Sequence, residues 1–447
     1  MIKTPRKTSI TLYSLLQMMV VSSVLFFLFS CKSNTNKSSN DNKTETKSEI
    51  ITTSNNPSDT VITAIGKLIL PKPYASQSVR NRTSLVDWPE GKLPLAPEGF
   101  TVSKFAEGFK NPRWTYIAPN GDYLVSDANT KHSAGQVILL RDTNKDGTID
   151  LREVFLDDLK QPFGMLIIDN FFYVANTDGL YKYPYKNGQT VLNAALGKKI
   201  VSLPAGGYNH HWTRNIITNP EKDKIYISVG SASNVGEYGM DEEIRRANIL
   251  EVDLNGENEK IYASGLRNPV GMDWNPANGE LWTAVNERDE LGDNLVPDYV
   301  TSVKKGGFYG WPYAYFGTLE DPRLKGEAPQ LVKASIIPDV PVGAHTASLG
   351  LTFYKANQFP EKYRNGLFVG QHGSWNRSVL SGYKVVFIPF ENGKPAGEPE
   401  DFLSGFIAEE NKSHVYGRPV CVSVTPNGDL LVNDDSGGVI WKVSYNK

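Results

Sequence analysis

The chain has 447 residues, 40% of them apolar, with 47 Lys and Arg against 49 Asp and Glu for a formal charge of −2. That length can bury a large core, and the near-neutral balance, with no basic stripe, excludes nucleic acid as a partner. With 39 Gly, 27 Pro and 11% aromatic residues, the composition favours β-structure broken by many turns.

Residues 1–30 read as a signal peptide. Lys3, Arg6 and Lys7 precede the apolar run "LYSLLQMMVVSSVLFFLF", and "LFSC" ends on Cys31 in the manner of a lipobox, whose cysteine becomes the lipidated first residue. This predicts a bacterial cell-envelope protein, lipid-anchored to the membrane and facing the periplasm or the outer membrane; an uncleaved transmembrane anchor is the alternative. Residues 31–65 are polar and low in complexity and read as a flexible linker. Residues 66–447 read as one folded domain. The only other cysteine, Cys421, sits in the apolar run "VCVSV", so the domain is expected to stand without a disulfide.

From residue 112 one unit recurs: a polar start, an apolar strand, a Pro/Asn/Gly turn and a second apolar strand. The clearest copies are "PRWTYIAPNGDYLVSDA" from 112, "RNPVGMDWNPANGELWTAVNE" from 267 and "RPVCVSVTPNGDLLVNDD" from 418; looser ones begin near 161, 213 and 345. Six such units predict an all-β, six-bladed β-propeller rather than two packed sandwiches. In what reads as the second blade, "DTNKDGTIDLRE" puts Asp142, Asn144, Asp146, Asp150 and Glu153 at the ligand spacing of a calcium loop, with Gly147 at the turn. Strand-like flanks make it a structural Ca²⁺ loop without the paired helices.

In a propeller the innermost strands start at one mouth of a central channel. The side chains at those starts are Arg113, Gln161, His210 with His211 and Arg214, Arg267 with Asn268, His345 with Thr346, and Arg418. Arg and His are the side chains that hold planar anions and move protons. Six sequence-distant groups are therefore expected to converge on one small volume.

The motifs "GLRNPVGMDW", "GFYGWP", "GAHTASLGL" and "GQHGSWNRS" resemble soluble pyrroloquinoline quinone (PQQ)-dependent sugar dehydrogenases of the aldose and sorbosone dehydrogenase-like branch, over roughly residues 90–445. The resemblance implies PQQ over the channel with Ca²⁺ beside it, and oxidation of a sugar or hydroxy-aldehyde. Electrons would pass to an external acceptor such as a respiratory carrier. It places the catalytic base on His210, with His211 as runner-up, and the oxyanion-stabilising arginine on Arg267. Gln161 falls near the substrate hydroxyl. Asn268, Thr346, Arg418, His345 and Arg377 fall at cofactor contacts, and Asp293, Asn294 and Tyr309 at the catalytic calcium. The chain departs from the family where Val270 and Val420 replace a glutamine and an arginine, and where a lysine of the fifth blade has no clear counterpart.

The sequence thus supports a quinoprotein oxidoreductase with a small sugar or aldehyde substrate. Its alternative is a non-catalytic exported propeller, a binding module with a degenerate cofactor site. A calcium-dependent lactonase needs Glu, Asp and Asn around a central metal, whereas the strand starts offer His and Arg.

Overall fold

The computed structural model describes residues 58–129 and 134–446. The signal peptide, Cys31 and most of the linker lie outside the described residues. Six four-stranded antiparallel sheets follow one another along the chain. Their innermost strands are Pro112–Ile117, Met165–Ile168, Ile216–Thr218, Pro269–Trp274, Ser348–Phe353 and Pro419–Val424. The repeated units of the sequence map one to one onto the first two strands of these sheets. The last sheet is completed by Phe100–Glu107, which lies ahead of the first sheet in sequence and pairs with Val439–Tyr445. No periodicity in the sequence marks that strand as belonging to the last sheet.

The turns are local in origin. Both "PNGD" copies put their glycine in the left-handed region, Gly121 at φ 90° and Gly428 at φ 93°, and close through Ala118 N to Asp122 O and Thr425 N to Asp429 O. Apolar residues of facing sheets then interlock. Between the last two sheets Tyr354, Phe359, Phe368, Phe402 and Trp441 are all buried.

Four of the six innermost strands carry a register shift near their start, at Pro112/Trp114, Pro269/Met272, Ser348/Gly350 and Pro419/Val422. A bulge re-aims the extra residue. The residues it displaces include Arg113, Val270, Leu349 and Val420. The last three meet Phe163 in a small buried cluster flanked by Trp114 and Trp212. Leu349 and Trp212 reach a cavity at one end of the channel, while Trp114 lines a second cavity of 660 Å³ to which all six innermost strands contribute. The cluster is therefore an apolar floor between the two. The strands come close enough that a Cβ on Gly350 would lie 2.2 Å from Val420 O.

Residues 58–65, read from sequence as linker, are part of the fold. Strand Ser58–Thr63 pairs with Gly66–Pro71, and Val61 and Leu70 are buried against Leu266, Leu295 and Tyr315. Burial alternates along the first strand, with Val61 and Thr63 buried and Ile62 between them exposed, as burial of one face requires. From there a strap runs over the loops of the later sheets. Its backbone amides bond Leu291 O, Trp375 O, Ser413 O and Val415 O from Tyr74, Asn81, Ser84 and Val86. The described residues hold no helix long and apolar enough to cross a membrane.

Candidate active site

The bulges, and the loops after the second strands, deliver side chains to a cavity of 230 Å³ at the mouth of the channel. Arg113 comes from the first sheet and His210–Thr213 from the loop before the third. Arg267, Asn268, Asn286, Glu287, Asp289 and Asp298 come from the fourth, and His345, Ala347, Leu349, His372 and Trp375 from the fifth. Of the residues singled out in the sequence, Arg113, His210, His211, Arg267, Asn268 and His345 meet here.

The histidine pair stands on a loop clamped from behind. The buried Arg214 donates to His211 O (2.9 Å), Thr213 O (2.8 Å) and Pro204 O (2.7 Å). Burial lowers its pKa only to about 9, so it stays charged at neutral pH. His211 Nδ1 lies 2.9 Å from both Ser231 O and Ser231 Oγ, and Ser231 Oγ spends its own proton on Ser233 O at 2.6 Å. Both neighbours of Nδ1 are therefore acceptors. The proton must sit on Nδ1, and Nε2 carries the lone pair. Burial, then the charge of Arg267, holds the His211 pKa well below its ordinary value, so the ring is a neutral acceptor. His210 is more open: its Nδ1 meets Tyr208 Oη at 3.1 Å, and crowding by protein and Arg267 lowers its pKa too. Gly230 makes the packing possible, since a Cβ there would lie 2.3 Å from Asn268 Oδ1 and 2.6 Å from His211 Cβ.

Arg267 is 2% exposed. Its Nε donates to Asn234 O (3.1 Å), Nη1 to Asn286 O (3.2 Å) and Glu287 O (2.7 Å), and Nη2 to Asn234 Oδ1 (2.9 Å) and Asp289 Oδ2 (3.1 Å). A guanidinium has five N–H groups, and all five are engaged. Arg267 thus frames the site and has no free donor for a developing oxyanion, contrary to the role expected of it.

Three carboxylates line the same cavity, which the strand starts did not reveal. Asp289 would be raised by burial, but His345 and Arg267 hold it below its ordinary value. His345 donates from Nε2 to Gly292 O (2.9 Å), and its Nδ1 stands 3.3 Å from Asp289 Oδ1, an ion-pair distance short of good hydrogen-bond geometry. Burial opposes the charged ring, yet the net shift of His345 is upward because Asp289 outweighs it. Glu287 is pushed up to about 7 and Asp298 to about 6, both by burial. Glu287 Oε1 and Asn268 Oδ1 are buried and accept no hydrogen bond within the protein. Opposite them Arg113 pairs with Asp435 and lies 5.3 Å from the Trp212 ring, and His372 Nε2 stands 2.8 Å from Asp435 Oδ1. Burial pulls His372 down to about 4.

The other residues expected at the site lie elsewhere. Gln161, at φ 55°, turns its amide to Asn129 O. Thr346 is bonded to Asp298 Oδ2, behind the wall. Arg418 donates to His372 O and Gly373 O and so supports the His372 loop. Arg377 bonds Asp293 O and Asn294 Oδ1, while the Asp293 carboxylate takes the Ser378 N–H. Tyr309 is buried, donating to Ser302 O at 2.6 Å. In the 142–153 loop the Asp142 carboxylate accepts from Asp146 N and Gly147 N, Asn144 Oδ1 accepts from Asp146 N, and Asp150 accepts from Thr143 N. Glu153 stands in a strand opposite Leu139. Among the described residues no three His, Cys, Asp or Glu side chains gather at one point; Ca²⁺ also takes Asn and backbone carbonyl oxygens.

The TrAA12-like family matches residues 94–304 and 330–446. The chain belongs to this family. An uncharacterized protein of Borreliella burgdorferi is 31% identical over 363 residues, 78% of this chain and 90% of the relative. The aldose sugar dehydrogenase YliI of Escherichia coli is 32% identical over 195 residues, 42% of this chain and 45% of that protein. Among solved structures, the PQQ domain of the Coprinopsis cinerea pyranose dehydrogenase superposes with a TM-score of 0.66 at 20% identity, covering 79% of this chain and 97% of that domain. Membership places the chain in a quinoprotein oxidoreductase family with an all-β, propeller-like fold. The strap at 72–86 precedes the part of the chain that the family matches.

Proposed function

We propose that the chain is a quinoprotein dehydrogenase that oxidises a sugar or hydroxy-aldehyde and hands the electrons to an external acceptor. In this reading the six sheets are six propeller blades, and the protein is held in a bacterial cell envelope by lipid on Cys31. The observation that carries the reading is His211, whose tautomer is fixed so that Nε2 is a proton acceptor at the mouth cavity.

The lining suits PQQ only in company with a cation. Both arginines are already paired, Arg113 with Asp435 and Arg267 with Asp289. Glu287 and Asp298 add further carboxylates, so a trianion entering alone meets no net positive charge. An anion and a divalent cation entering together do fit. Glu287 Oε1 and Asn268 Oδ1, buried and unbonded, are oxygen donors of the type Ca²⁺ takes. Trp212 and Trp375 offer flat apolar walls. When bound, PQQ supplies a two-electron acceptor that takes hydride from carbon.

The chain's own part is orientation and proton transfer. His211 Nε2 accepts the proton of the substrate hydroxyl as its carbon is oxidised, and a neutral imidazole suits that task near neutral pH. His345 and Arg267 hold Asp289 ionised and fix the fourth-sheet wall. The floor of Phe163, Val270, Leu349 and Val420 keeps water out from below.

The test is reconstitution of the full-length protein with Ca²⁺ and PQQ, followed by dye reduction with aldoses and hydroxy-aldehydes. PQQ should bind with Ca²⁺ and lose affinity with a chelator. Absence of any quinone spectrum at the protein, with or without Ca²⁺, refutes the reading.

A further inference from the structure

The mouth cavity, at 230 Å³, lies below the roughly 300–1,000 Å³ of sites that enclose a drug-sized ligand. A tricyclic quinone with three carboxylates takes up a volume of this order alone. A sugar reacting with it must therefore sit at the rim, and what the rim offers decides which sugars suit.

One stretch of rim is an aromatic shelf. Tyr208 and Tyr238 are 44% and 58% exposed. Their ring centroids are 4.7 Å apart, and Tyr208 is tied to the mouth by its contact with His210. Exposed apolar faces that border a polar cavity are places where a ligand can seat. Two rings are far too small for a protein partner, which needs about 800 Å² a side. They do match a sugar ring, whose axial C–H face is apolar and whose edge is all hydroxyls. Glu290, next in sequence to the cavity-lining Asp289 and paired with Arg80, opens onto a groove of 590 Å³ beneath the strap, lined also by Tyr74, Ser76 and Asn376. On that side the rim of the mouth continues in groups that bond hydroxyls.

We propose that Tyr208 and Tyr238 form a sugar-ring subsite next to the reacting position, so that the substrate is a saccharide of two or more rings with its terminal ring over the mouth. This rests on the dehydrogenase reading for the reacting ring, but the subsite itself needs no cofactor.

The test uses the full-length protein without PQQ. Glucose, maltotriose, cellotriose and chitotriose are titrated by saturation-transfer NMR. At least one trisaccharide should bind about tenfold tighter than glucose. Tyr238→Ala should remove three- to tenfold of that gain, the size expected of one lost stacking contact, while glucose affinity stays the same. Tyr238→Phe, which keeps the ring, should retain most of the gain. Equal affinity for glucose and every trisaccharide, or a gain untouched in Tyr238→Ala, overturns the proposal. Trisaccharide binding that depends on Tyr238 in a protein that never turns over with PQQ would keep the subsite and sink the dehydrogenase; turnover without preference for longer sugars does the reverse.

Discussion

Arg267→Ala separates a frame from a catalytic contact. The substitution strands Asn286 O and Glu287 O without their donor, leaves Asn234 O to Trp311 Nε1 and Asn234 Oδ1 to the Asp289 N–H, and leaves the Asp289 carboxylate with His345 alone. Removing one partner of a buried ion pair costs about 3–5 kcal/mol, and each stranded buried acceptor about 1–3 kcal/mol. These do not add, because water entering from the mouth can reach some of the carbonyls. A loss of about 4–5 kcal/mol is expected. Arg267→Lys keeps a charge for Asp289 but gives up the planar fork, so about 2–3 kcal/mol is expected for it. Urea unfolding measures both directly. In a thermal melt the shift is roughly 1 °C per kcal/mol for a fold of this size. If Arg267→Ala abolished turnover yet unfolded within about 1 kcal/mol of the wild type, the guanidinium would be acting on a ligand and the framing role would be wrong.

His211→Gln should lower kcat by about 10²–10⁴, the range for losing a general base, with PQQ binding intact, whereas His210→Gln should cost less; the opposite order would transfer the base to His210. Folded His372 titrates near 4, below the ordinary histidine value of about 6.5, so the folded state binds fewer protons between those limits. Its contribution to stability is complete above about pH 6.5 and is lost as pH falls toward 4, at no more than about 1.4 kcal/mol per pH unit; a His372→Gln variant with an unchanged pH slope of unfolding would contradict this. Cys421 is wholly buried with its thiol pushed up to about 12, so N-ethylmaleimide should label it, by mass spectrometry, only after unfolding.

The repeated sheets were legible because their signals are local: an apolar run, a "PNGD" turn and a second run lie within twenty residues. The His and Arg at the strand starts were legible for the same reason. Glu287, Asp289 and Asp298 were not. They follow the second strand of the fourth sheet, Leu281–Val285, and enter the third, Pro297–Ser302, where no repeated feature marks a residue as facing the channel. In the 142–153 loop spacing alone does not decide, because Asp and Asn at alternate positions suit a turn that caps its own backbone amides as well as a metal. Arg418 and Arg377 illustrate a limit of carrying roles by position: a long guanidinium stem beside unpaired carbonyls turns to them.

Val270 and Val420 show that limit most sharply. Matched against a polar family pattern they look like losses at a decaying site. In the folded chain the strand bulges turn both into the channel, where with Phe163 and Leu349 they seal it below the mouth cavity. A sealed floor excludes water on one side of Asp289, Arg267 and His345, and Coulomb attraction strengthens as the local dielectric falls. The same valines that remove two polar contacts thereby tighten the ion pairs that hold the wall beside His211 in place, so their presence counts for an organised site rather than a degenerate one.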